Sequence, residues 1–196
     1  MLLFGRPGDY AAVENVFAEV HALTRLRIPT YCLMPNHWYL LVWPRHDGKL
    51  SESLRWITVT HTPRGQAQHK TSGTGLVYQG RYQSCPVQTD APFLTVARYV
   101  ERHAWRATLV SRAEDWRWGS LWRRMQGATT LTAWLSEWPV VPPRDGEAQV
   151  HRPQALSELE ALRLSGQRGG RSARRPGCGG WRNGSRGGRR GGHELA

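Results

Sequence analysis

The sequence predicts an α+β fold: a small antiparallel sheet with packed helices, in the order α-β-β-α-β-α, followed by a tail of different composition. Three observations carry this. Between Asp9 and Leu26, the residues Val13, Val16, Phe17, Val20 and Leu23 recur at three- and four-residue spacing, the stripe of an amphipathic helix. Between Arg27 and Trp43 the composition turns β-branched and aromatic, and Pro35-Asn36 divides it into two extended runs. Between Gly166 and Gly192, eleven glycines and eight arginines leave Trp181 as the lone large apolar side chain, too little to offset the entropy of ordering.

The first helix takes its cap from Gly8-Asp9. Arg27 to Met34 and His37 to Trp43 then read as a hairpin. In its second strand a period of two puts His37, Tyr39, Leu41 and Trp43 on one face and Trp38, Leu40 and Val42 on the other. Both faces are largely apolar, which predicts an internal strand. Lys49 to His69 sets Leu50, Leu54, Ile57 and Val59 against a polar remainder containing Arg55, His61, Arg64 and His69, a second helix with a basic side. His61 and His69 are expected to be solvated.

Tyr78 to Gln88 reads as extended. Asp90-Ala-Pro92 starts a third helix with an acidic cap and an early proline. In it Phe93, Val96, Ala97, Val100, Ala104 and Ala107 form the core stripe, while Thr95, Tyr99, Arg102, His103 and Arg106 share the neighbouring face. Trp116, Trp118 and Trp122 are expected to seal the core rather than stack on nucleic-acid bases. The expected organisation is a domain over 1–138, a proline-rich exit with a short helix over 139–165, and a disordered tail over 166–196.

The formal net charge of +12 and pI near 10.7 point to a polyanionic partner, nucleic acid by default. The tail holds eight arginines and one glutamate, net +7, leaving +5 to residues 1–165. Cys32, Cys85 and Cys178 are widely spaced and without a CxxC pair, so neither a disulfide framework nor a zinc site is indicated, which suits a reducing cytoplasm. No export signal or spanning segment is present, so a soluble cytoplasmic protein without a membrane partner is expected.

The chemistry sits in two places. His37 opens an apolar strand directly after a turn, at the edge of a sheet; Tyr99 and His103 lie one helical turn apart, on one face. Together they suggest a tyrosine nucleophile assisted by a metal ion, and flanking arginines suit a phosphate substrate. The plainer alternatives are a boundary tyrosine that packs its ring and wets its hydroxyl, and a strand-start histidine bonded to a turn carbonyl. Arg55, Arg64 and Arg81 are candidate phosphate contacts.

Three stretches occur in order: Tyr31-Cys-Leu-Met-Pro-Asn-His37; Tyr78-Gln-Gly-Arg-Tyr82 with Pro86-Val-Gln-Thr-Asp90; and Arg98-Tyr-Val-Glu-Arg102, leading to Arg106-Ala107 and Ala113-Glu-Asp-Trp-Arg-Trp118. On them the chain resembles the REP-associated tyrosine transposases, the single-tyrosine branch of the HUH endonucleases, over nearly all of its length before the tail. The resemblance implies a ferredoxin-like, RRM-like sheet whose first strand is central. This chain starts with Met1-Leu-Leu-Phe4, where the family is already leaving that strand, so the first strand is expected to be lacking and an edge exposed. The change to glycine and arginine after Leu162 reads as the end of a frameshifted, decaying gene copy.

For the site, the resemblance implies a His-hydrophobic-His pair holding Mg²⁺ or Mn²⁺ over the scissile phosphate of single-stranded hairpin DNA. Its first histidine maps to His37. Its second position is Tyr39, a degenerate metal position, since a protonated phenol is a poor ligand for a hard cation. Tyr99 maps to the nucleophile that forms a 5′-phosphotyrosine, and Arg102 and Arg106 flank it. His103 stands where the family has an amide, and as an imidazole it can partly replace the lost ligand. The expected activity is nicking and rejoining of hairpin DNA, by a monomer or homodimer. The alternatives are a binding-only remnant of the family and a basic RNA-binding protein working through its tail.

Overall fold

The turn at Pro35-Asn36 joins the two longest strands of a computed structural model that describes residues 3–46, 48–69, 78, 82–87, 91–127, 133–143, 150–160, 162 and 193–195. Strand β1 (Arg27–Met34) and strand β2 (His37–Trp43) pair antiparallel, from Met34 opposite His37 to Arg27 opposite Trp43. The register slips between Arg27 and Thr30, where Pro29 has no N–H to offer the ladder.

Helix α1 (Pro7–Thr24) begins earlier than the expected Asp9 cap. Proline, pre-set for a helical φ, opens it, and Asp9 works from inside the first turn, its Oδ2 accepting the amides of Gly5 at 2.8 Å and Arg6 at 2.9 Å. Leu23, read as part of the apolar stripe, is instead 66% exposed, because the helix ends one residue later at Thr24, with Arg25 in the left-handed region at φ 56°. Helix α2 (Lys49–His69) has the expected limits, though Val59 also faces solvent.

Alternation along the hairpin divides the core in two. Tyr31, Leu33, Leu40 and Val42 pack against Val13, Phe17 and Val20 of α1 and Leu50, Leu54 and Ile57 of α2. Cys32, Met34 and Leu41 point to the other face, against Phe93, Val96, Ala97 and Val100 of α3 (Ala91–Glu101). Helices therefore cover both faces of an internal hairpin. The third helix, expected to be continuous, is interrupted at Arg102 and resumes as α4 (His103–Arg106). Its hydrogen bonds run through the break, from Arg102 N to Arg98 O at 3.0 Å and from Arg106 N to Arg102 O at 2.9 Å.

The outer edge of β1 is covered by the chain that follows. Leu33 N donates to Trp118 O at 2.9 Å, and Ser136 N to Ile28 O at 3.0 Å. Trp118 stacks on Tyr10 at 4.8 Å and Trp116 Nε1 donates to Leu33 O, so these two indoles seal the core as expected; Trp122, on α5 (Ser120–Gln126), is half-buried. Beyond Trp138, Val140, Leu159 and Leu162 still pack against the α3 cluster. Among the described residues, no helix is long and apolar enough to cross a membrane.

Beyond β2 the sheet continues through the far end of the chain. Strand β3 (Cys85–Val87), shorter than the extended run read from the sequence, does not pair with β2; strand β4 (His193–Leu195) lies between them, antiparallel to both, giving the order β1-β2-β4-β3. Leu195 sits opposite both Leu41 and Cys85. No strand precedes α1 among the described residues, and the place beside β2 is filled from the C-terminal side. The tail expected to be disordered thus contributes a strand at 193–195, and its residues 166–192 lie outside the described residues.

His61 corrects a second expectation. It is buried, 2% exposed, with Nδ1 2.8 Å from the Tyr78 hydroxyl and Phe4 edge-on at 5.7 Å. The helix turns this side toward α1, and burial pulls its pKa down to about 4 from 6.5. The unfolded chain takes up that proton first. Stability from this site is therefore present above pH 6.5 and falls as pH drops toward 4, by up to about 1.4 kcal/mol per pH unit. Urea titrations between these pH values are expected to show a steeper loss for the wild type than for His61→Gln. Removing residues 193–196 is expected to unpair β3 from the sheet, seen as accelerated amide exchange at Cys85–Val87 with α1 unchanged.

Candidate active site

The hairpin turn delivers His37 at the first position of β2, where its ring stands beside the end of α3. Asn36 Oδ1 lies 2.7 Å from His37 Nδ1; an amide oxygen only accepts, so this contact calls for a proton on Nδ1 and turns the Nε2 lone pair inward. That Nε2 is 3.1 Å from Nε2 of His103, with the two rings perpendicular at 88°. Half-burial lowers the His37 pKa, favouring the neutral ring.

Tyr39 follows His37 on the same face of β2 and touches the whole cluster. Its ring centroid is 5.1 Å from His37, 4.5 Å from His103 and 5.7 Å from Tyr99. Burial first, and then the neighbouring Tyr99 phenol, raise its pKa well above that of a free tyrosine, so it stays protonated. Tyr99 leaves α3 toward the sheet and is 6% exposed, its ring 5.6 Å from His103 one turn on, with the Arg106 guanidinium 5.2 Å from the ring centre. The break at Arg102 leaves this i, i+4 stacking intact.

The remaining expected residues do not join them. Arg102 is buried, its guanidinium 4.8 Å from the Trp105 ring and bonded to the Arg152 carbonyl; desolvation, then Arg98 and Arg106, lower its pKa. Arg64 forms a two-pronged pair with Glu19 at 2.7 and 3.0 Å, and Arg55 is exposed; both belong to α2, across the sheet from Tyr99. Arg81 lies outside the described residues. Asn36 was not singled out from the sequence, although its place beside His37 in the turn was a usable sign.

Among the described residues no three or more His, Cys, Asp or Glu side chains converge on a possible metal position. Two do offer nitrogen. The 3.1 Å between His37 and His103 Nε2 matches the roughly 3.0–3.4 Å between neighbouring nitrogen ligands bound at about 2.1 Å. Two imidazoles fit a borderline cation such as Zn²⁺ and bind Mn²⁺ tolerably, with water or phosphate oxygen completing the shell. They suit Mg²⁺, an oxygen-seeking ion, less well, and the protonated Tyr39 adds little.

All four ring residues of this cluster fall within the stretch that a family model matches, residues 5–103, described as "Transposase IS200 like". The chain belongs to the IS200-like transposase family. The match spans just over half of the chain and ends on His103. Comparison with curated proteins and with solved structures gave no significant match. Family membership makes this transposase a DNA-binding protein. Long-range ¹⁵N–¹H spectra of its imidazoles are expected to show His37 as a single Nδ1-protonated tautomer in the wild type and as a mixture in Asn36→Ala.

Proposed function

We propose that this transposase nicks and rejoins single-stranded DNA at hairpins through Tyr99. The observation that carries this is the convergence of residues from distant parts of the chain: His37 from β2, and Tyr99 and His103 from α3 and α4, meet within one ring-to-ring shell. Tyrosine suits a reversible break because a phenolate leaves readily in the return step. The Tyr99 oxygen would form a bond to phosphorus as the P–O3′ bond breaks; its proton passes to solvent and the departing 3′ oxygen gains one. Arg106, beside the Tyr99 ring, supplies positive charge next to the attacked phosphate.

His37 and His103 would hold a divalent cation, with Asn36 fixing the His37 ring. When bound, such an ion withdraws charge from a phosphate oxygen. Its preference follows from the donors: with one histidine position taken by Tyr39 and an imidazole at His103, Mn²⁺ is favoured over Mg²⁺.

A second reading keeps the hairpin binding and drops the cleavage. It is favoured by Tyr39 standing at a ligand position and by the burial of Tyr99, which must be uncovered before it meets a phosphate.

The two readings separate in one assay. Protein, labelled hairpin DNA and Mn²⁺ are expected to yield a covalent protein–DNA band on denaturing electrophoresis. Tyr99→Phe removes it, and His37→Ala or His103→Ala slows it by about 100-fold or more. Tyr39→His is expected to bring activity with Mg²⁺ up to that with Mn²⁺. Hairpin binding without any band in both the wild type and Tyr39→His favours the binding-only reading and rejects the nuclease.

A further inference from the structure

Glu101 lies on the last turn of α3, between Tyr99 and His103, and the chemistry above makes no use of it. It is 5% exposed. Its Oε1 lies 3.0 Å from both Thr30 Oγ1 on β1 and Ser120 Oγ on α5, and accepts from this hydroxyl pair. The two hydroxyls meet each other at 2.5 Å. Burial pushes the carboxyl pKa up, and the Arg124 charge and the two hydroxyls oppose that push. Arg124 in turn bonds the backbone carbonyls of Pro29 and Ser136. The strand edge, α5 and the end of α3 are thus joined at one carboxylate. A buried carboxylate is costly where an apolar side chain would pack, and stability alone gives no reason for it.

Its place on the helix supplies one. Successive helical residues are rotated by about 100°, so Tyr99 and Glu101 leave α3 about 200° apart. One reaches Tyr39 on β2 and the other Thr30 on β1. Two anchors on opposite flanks fix the roll of the helix about its axis. Side-chain tips stand about 5–6 Å from that axis, so a roll of about 10° would carry them by about 1 Å. Misplacement by about 1 Å is enough to cost on the order of 100-fold in rate where reacting atoms must align.

We infer that Glu101, through Thr30 and Ser120, is a positioning residue that sets the roll of α3 and with it the placement of Tyr99 and His103 against the hairpin. This rests on the reading of Tyr99 as the nucleophile. The test uses full-length protein and three variants: Glu101→Ala, Glu101→Gln, which keeps an acceptor oxygen, and the milder Ser120→Ala.

Glu101→Ala is expected to lower the rate of covalent adduct formation at saturating hairpin DNA by about 100-fold, and Ser120→Ala by about 10-fold, with the Kd for the hairpin within about twofold. Glu101→Gln is expected to recover most of the rate. The imidazole ¹⁵N signals of His37 and His103 should shift in Glu101→Ala and return in Glu101→Gln. The inference is overturned by a folded Glu101→Ala that keeps both its rate and its imidazole signals. It is equally overturned if rate, Kd and Tm fall together without rescue by Gln, which would mean a structural role alone. If Glu101→Ala does not fold, Ser120→Ala decides by the same criteria. A wild type that forms no adduct rejects the nucleophile instead, and the imidazole spectra then judge the positioning by themselves.

Discussion

The antiparallel register of β1 and β2 is the constraint on which the rest of the molecule depends. Both faces of the hairpin are buried, so each residue's place in the two-residue alternation decides which helix layer it meets. With Met34 opposite His37, the side chains of His37 and Tyr39 fall on the α3 face. A slip of one residue would send them into the α1/α2 layer and bring Trp38 and Leu40 to Tyr99. Pro35-Asn36 holds the register from one end. At the other edge the Trp118 carbonyl and Ser136 bind the β1 backbone, so the strand is fixed along its length.

Each helix layer is then tied to the hairpin by one buried carboxylate. On the α1 side Glu14 accepts the Tyr31 hydroxyl at 2.6 Å and pairs with Arg123, whose Nε also bonds the Tyr31 oxygen at 2.7 Å. Tyr31 is fully buried, and burial together with the Glu14 charge holds its hydroxyl in the protonated, donating form. On the α3 side Glu101 takes the corresponding part with Thr30 and Ser120. Both α5 residues involved, Ser120 and Arg123, lie within a single turn, so one short helix braces both faces. Breaking such a buried pair costs about 3–5 kcal/mol, because the partner left behind remains uncompensated. These contacts add less to net stability than the apolar clusters do, but they set angles that apolar contacts leave loose.

Much of this was legible in the amino acids. Composition and the Pro35-Asn36 break set the limits of β1 and β2, and the two-residue repeat set the two faces of β2, because those signals are local to the hairpin. The spacing of Tyr99 and His103 was equally readable, since an i, i+4 contact is local. What escaped depends on distance along the chain. Nothing near His61 announces Phe4 and Tyr78, which bury it. Arg102 reads as a free cation until Arg152 and Trp105 come to it. Glu101 looks like an ordinary helix-end acid, and the hydroxyls that claim it are 71 and 19 residues away. The strand at 193–195 has no periodic signal of its own, because three residues are too few to display one.

That strand also bears on the order of assembly. The hairpin and α1 form from contacts between chain neighbours, whereas β4 returns to the sheet across the stretch that follows Leu162. Closing a loop of about 30 residues costs roughly 3 kcal/mol by the logarithmic rule, set against a ladder only three residues long. The margin is small enough that β4 docks last and detaches first. During synthesis the hairpin is complete while the space between β2 and β3 still waits for residues that have not yet left the ribosome. Until they arrive the half-built sheet presents two open ladders, and the number of residues still to be added before 193–195 sets how long that interval lasts.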